Sequence, residues 1–316
     1  MASFVRTLGR LMAVFGFMWF GQAGFDQLTA AEPPPTQWSD LTQVVVRAHI
    51  PGPAMWKLTR GASTVWVLGV MDIKPDPLRW NAARFKRVLR GAKVLILPQE
   101  STWAPTNSTL PKSQRLKDVV TAKTYARFEA TIARDSLSIS TYDTYRPVWA
   151  GARLMSDVIA DHAISTRIVP DTLPVFARQA GVPVQWLRRD DAPNLLRLYD
   201  GMDAAGSEAC FNAYLDSIDY LLGAMPKVTM AWARGDLTTL MKYHREMAYT
   251  TCIRADATMA PLYQGYAIDN AVTAIETALT APGKSVAVWP LSDLLRQDGV
   301  LDHLRAEGVT ITSPPV

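Results

Sequence analysis

Three carboxylates follow apolar runs that read as strands. Asp72 comes after the run closing at Gly69, Asp293 after the run closing at Trp289, and Glu100 two residues past Pro98. In open α/β sheets, ligands gather beyond the carboxyl ends of the strands. Glu100 shares a face of extended chain with Pro98, because side chains alternate along a strand. Three carboxylates meeting at one sheet edge would suit a hard divalent cation, Mg²⁺, Mn²⁺ or Ca²⁺. A fourth strand end carries Arg188. Its guanidinium would oppose a cation and pair with Asp72 or Asp293, tying strand ends together without catalysis. Both readings stay open from the residues alone.

Other chemistries find less support. The four histidines are His49, His162, His244 and His303, and no two stand at ligand spacing. Each reads as a solvated or helix-end residue rather than a ligand. There is no Gly-x-Ser-x-Gly elbow, no P-loop and no Gly-x-Gly-x-x-Gly turn, so nucleophile-elbow and phosphate-cradling classes are excluded.

The elements that must position these residues alternate in period. Residues 51–80 read as two short strands with a turn, the second over 63–69. Helical spacing follows over 78–90, then a buried strand over 93–97. This order predicts parallel strands joined by a crossover helix. Helices are expected over 116–133, 147–162, 174–180, 194–220 and 227–247, the last broken at Gly235-Asp236, and strands over 182–187, 285–289 and 309–312. Helices over 269–281 and 299–307 complete the chain. The fold class is α/β, a mainly parallel sheet with flanking helices and a large helical insertion.

The N-terminus has a different character. Arg6 and Arg10 precede an apolar run over 11–20, and Leu28-Thr29-Ala30-Ala31 offers small residues for cleavage. That is the anatomy of a secretory signal peptide over 1–31. A proline-rich linker over 32–43 follows, and one domain over 44–316. The run is too short for a membrane span. The formal charge of +4 over 316 residues is dispersed, without a basic stripe, which excludes nucleic acid as a partner. Export makes a disulfide between the two cysteines, Cys210 and Cys252, plausible.

The wording of residues 51–80, from Pro51-Gly52-Pro53-Ala54 to Trp80, resembles the TraB/GumN family, and the resemblance extends over nearly all of the chain after residue 31. In that family the first strand end reads Gly-x-x-His, with the histidine taken as a metal ligand. Here Gly69 is kept and Asp72 replaces the histidine. Pro98 stands for a glutamate, Arg188 for a second glutamate, and Asp293 for the histidine of a second Gly-x-x-His. Arg146-Pro147, Trp232, Gly235-Asp236 and Arg254 match the family pattern. The resemblance implies a broad architecture shared with erythromycin-esterase and ChaN-like proteins. It also implies an exported, catalytically degenerate protein, a periplasmic binding or scaffolding module for an unknown protein or peptide partner, with no cofactor. The alternative is a divergent metal-dependent hydrolase, peptidase-like, using Asp72, Glu100 and Asp293 for Mg²⁺, Mn²⁺ or Ca²⁺. The ChaN-like analogy would add a haem-like ligand, but the scattered Trp and Met residues read more simply as core.

Overall fold

The computed structural model describes residues 52–99, 108–167, 169–187 and 192–314, with the side chains of 192–196 and 266 left aside. The expected signal and linker, Glu100 and Arg188 fall outside the described residues.

Eight strands are present among them: β1 (Met55–Arg60), β2 (Ser63–Val70), β3 (Lys74–Pro75), β4 (Leu95–Pro98), β5 (Ile164–Ser165), β6 (Val184–Leu187), β7 (Gly283–Pro290) and β8 (Thr310–Thr312). Six form one sheet in the order β6-β4-β7-β2-β1-β8, and β3 pairs with β5 as a two-residue ladder. The four strands β6, β4, β7 and β2 run parallel. β1 lies antiparallel to both β2 and β8. The central strands are covered on both faces, which is why β2 and β7 are near-continuous apolar runs rather than alternating ones. Val65, Val67 and Leu68 of β2 and Val286 and Val288 of β7 are fully buried.

This is the mainly parallel α/β sheet expected from the sequence. The helix Ala83–Leu89 does lie between parallel β2 and β4 in sequence, but β7 lies between the two strands in space. The helical middle packs partly around its own aromatic cluster, including Phe128, Tyr142 and Phe211, between helices Ala122–Arg134, Pro147–Asp161 and Ala204–Gly223.

Several helices are shorter than periodicity alone suggests. The expected 194–220 helix is two, Ala192–Gly201 and Ala204–Gly223. Asp203 causes the break by accepting the Gly206 amide at 2.7 Å, an N-cap that outweighs helix continuation. The 116–133 helix is likewise Leu116–Val119 and Ala122–Arg134, with Thr121 capping the second. Expected 227–247 becomes Met225–Arg234 and Leu237–Tyr243, divided at Gly235-Asp236 as anticipated, with Ala248–Ala255 following.

Cys210 and Cys252 lie at disulfide distance, with Cα atoms 5.6 Å apart, and join helix Ala204–Gly223 to helix Ala248–Ala255. No helix among the described residues is long and apolar enough to cross a membrane.

Candidate functional site

The ends of β2 and β7 are neighbours, with Gly69 paired to Trp289 and Val70 to Pro290. Their continuations, Met71-Asp72 and Leu291-Ser292-Asp293, therefore leave the sheet side by side. Ser292 Oγ donates to Asp72 Oδ2 at 2.9 Å, which links the two strand ends. Gly69 makes this approach possible. A Cβ there would lie 2.9 Å from the Trp56 ring and closer still to Leu291.

Two indoles pin the same place. Trp232 Nε1 donates to the Gly69 carbonyl at 2.7 Å, and Trp289 Nε1 to the Ala267 carbonyl at 2.9 Å. Just after Trp232 the helix stops at Gly235, in the left-handed region with φ 74°. A side chain here would be strained, and its Cβ would also lie 2.8 Å from the Gly52 carbonyl oxygen. Asp236 then caps the helix Leu237–Tyr243 by accepting the Thr239 amide at 2.9 Å. That short helix ends at His244, which lies within electrostatic reach of Asp72. The tryptophan, glycine and aspartate kept from the family pattern thus position a histidine that the sequence did not single out.

Around Asp72 the charges are mixed. Burial pushes its carboxyl above the usual range, opposed by His244, by the Ser292 hydroxyl and by Lys74, while Glu246 adds to the rise. Lys74 is itself 97% buried, its residue being only 3% exposed. Burial also pushes the His244 imidazole below its ordinary value, against the attraction of Asp72 and Glu246. His244 Nε2 is buried and has no hydrogen-bond partner among the described residues. Glu246 is fixed by Arg254, whose Nη1 reaches both carboxylate oxygens at 2.8 Å. Arg254, kept from the family pattern, thus holds an acid beside the Asp72–His244 pair. Tyr220 borders the cluster, its phenol pushed upward by burial first and by Asp72 to a lesser degree.

Asp293 looks elsewhere. It is buried and accepts a short hydrogen bond from the Tyr263 hydroxyl of helix Met259–Gln264. The Arg296 guanidinium lies 5.7 Å from the centre of the Tyr263 ring and donates to Gln264 Oε1 at 2.7 Å. Ser292 and Asp293 are consecutive on the helix Leu291–Leu295, and adjacent helical residues do not share a face. Ser292 is therefore directed to Asp72 while Asp293 is directed to Tyr263. Among the described residues no group of three His, Cys, Asp or Glu side chains is placed to hold a metal ion. Of the expected ligands, Asp72 and Asp293 leave adjacent strands with different partners, and Glu100 lies outside the described residues, as does Arg188.

Sequence reasoning found Asp72 but not its surroundings. His244 is at a helix end, as expected, yet its ring is turned inward rather than solvated. Lys74, Glu246 and Ser292 also went unremarked. The one signal available was the Trp232-to-Asp236 segment, whose match to the family pattern marked the element that carries His244.

A mainly parallel sheet with flanking helices, and a polar cluster beyond the ends of two adjacent strands, makes this an α/β protein. The sequence model of the TraB/PrgY/gumN family matches residues 54–313, and the chain belongs to this family. Neither a curated protein nor a solved structure matches it.

Proposed function

We propose that the chain is an exported, catalytically degenerate TraB/GumN-family protein that acts as a periplasmic binding or scaffolding module. One observation carries this reading: Asp72, at the position of the first motif histidine, is already engaged by Ser292 at 2.9 Å. Its carboxylate closes a strand-to-strand link within the chain. The described residues do not fit a family-type metal centre, since Asp293 is directed to Tyr263. A buried carboxylate with a raised pKa is also a poorer cation ligand, because part of its affinity is spent on losing a proton.

The second reading, a divergent metal-dependent hydrolase, draws on the unpartnered His244 nitrogen beside Asp72. Metal analysis separates the two. Protein recovered from the periplasm of an expression host without chelator is expected to hold no stoichiometric divalent ion. A stoichiometric ion lost in Asp72→Ala, or peptide hydrolysis lost in the same variant, would overturn the binding-module reading.

A further inference from the structure

Positive charge that looks dispersed along the chain is gathered by the fold onto one side of the sheet. Helix Ala83–Leu89 packs against β7 and buries Phe85 and Leu89. Its outward positions follow helical spacing, with Lys86 and Arg87 exposed and Arg90 exposed just past the last turn. No Asp or Glu occurs between residues 77 and 98. Two lysines at the starts of neighbouring strands extend the stripe. Lys284 Nζ donates to the Arg90 carbonyl at 2.6 Å, and the Lys93 amide donates to the Lys284 carbonyl at 2.8 Å. The charges crowd one another: burial first, and then the Arg87 charge, push the Arg84 guanidinium below its ordinary value. None of these cations is ion-paired among the described residues.

The same side carries exposed apolar groups. Lys86 Nζ lies 4.1 Å from the centre of the Phe176 ring, which joins the basic helix to helix Thr172–Gln179. On that second helix Val175 and Arg178, three residues apart on one face, are both exposed, and no acid is present. Strand register then reaches the sheet edge. Arg84 Cζ stands 5.6 Å from the centre of the Trp66 ring, which marks the face of the basic helix. Trp66 pairs with Val286, Val286 with Leu95, and Leu97 with Trp186. Side chains two apart share a face, so Trp186 lies on this side too. It is 46% exposed, and Val175 is 40% exposed.

We propose that this face docks on the surface of an anionic phospholipid bilayer, its cations meeting headgroup phosphates while Trp186 and Val175 enter the interfacial layer. Each basic side chain within a Debye length of such a surface adds attraction, and indoles favour the headgroup level. Other partners fit less well. Protein interfaces are depleted in lysine, whereas this stripe holds Lys86, Lys93 and Lys284. A nucleic acid would stack its bases on aromatic rings, but Trp66 and Phe176 are already covered by Arg84 and Lys86. It would also leave Val175 in water. The proposal is independent of what the strand-end cluster does.

The test is flotation of the full chain with vesicles of phosphatidylglycerol and phosphatidylcholine, against vesicles of phosphatidylcholine alone. The apolar run over 11–20 is common to every form, so the reading is the difference between the two vesicles. Binding to the anionic vesicles is expected to be stronger by roughly tenfold or more and to fall as salt is raised. Arg87→Gln with Arg90→Gln should weaken it roughly thirtyfold. Trp186→Ala should weaken it severalfold with the salt dependence unchanged. Lys112→Gln with Lys123→Gln removes the same charge from exposed positions outside the stripe and should bind as the wild type does. Circular dichroism and thermal unfolding confirm that all variants remain folded. Equal binding to the two vesicles would overturn the proposal, as would equal loss in the two double variants. Undiminished binding by Trp186→Ala would overturn it too. Binding of duplex DNA where anionic vesicles fail would overturn it in favour of a nucleic-acid partner.

Discussion

Asp72 is the residue on which the site turns, and its ionisation sets a pH signature. Burial raises its folded pKa above the unfolded value. The folded state therefore holds the proton more tightly, and this contribution to stability is full below about pH 4 and is lost as pH rises through the folded pKa. His244 has the opposite sense. Its pKa is depressed by burial, so its contribution is full above about pH 6.5 and declines as pH falls below that. Asp72→Asn should thus gain on the wild type in thermal stability at pH 8 and lose that advantage near pH 4. Melting curves at a series of pH values check this, and a difference that stayed constant with pH would show that Asp72 ionisation plays no part. Ser292→Ala removes the hydroxyl that donates to Asp72 and should cost about 1 kcal/mol, as for a typical side-chain hydrogen bond. Chemical unfolding measures it. Sequence reading reached Asp72 because a strand end is local. It could not reach Ser292, which is 220 residues away and meets Asp72 only through strand order.

Among elements, the segment from Trp232 to His244 does the positioning. The indole anchors it to Gly69, Gly235 turns it, and Asp236 restarts the helix that ends at His244. Gly235→Ala should destabilise the protein by about 1–2 kcal/mol from the left-handed backbone alone, and more if the Gly52 carbonyl cannot yield. A loss of only a few tenths in urea unfolding would mean that the turn relaxes freely. The break at Gly235 was legible because glycine followed by aspartate is both a stop and a start signal. The break after Gly201 was missed because apolar spacing persists across it. The decisive event there is one side chain, Asp203, accepting a backbone amide, and periodicity does not register that competition.

At the scale of the whole molecule, the Cys210–Cys252 link joins two helices through cysteines 42 residues apart in sequence. In the chain-entropy picture, closing such a loop stabilises the fold by about 4 kcal/mol. Replacing both cysteines by serine should lower the unfolding free energy on that scale in denaturant titration. A change below about 1 kcal/mol would assign the stability to helix packing instead. The class of fold was readable from buried β-branched runs alternating with helical spacing. The strand order was not, because nothing local in the 283–290 stretch says that it belongs between β2 and β4.

That placement has a consequence for how the chain comes to be folded. The strand at the middle of the sheet is synthesised after both of its neighbours, β2 and β4. Until residue 290 has emerged, β2 has no partner on its inner side, and β4 lacks the strand that joins it to β2. Until then the polypeptide carries open, apolar strand edges, the kind that invite pairing with other chains. Nascent chains are therefore expected to be most prone to association before residues 283–290 are available. A fragment ending before Gly283 should be soluble only while a holdase shields it.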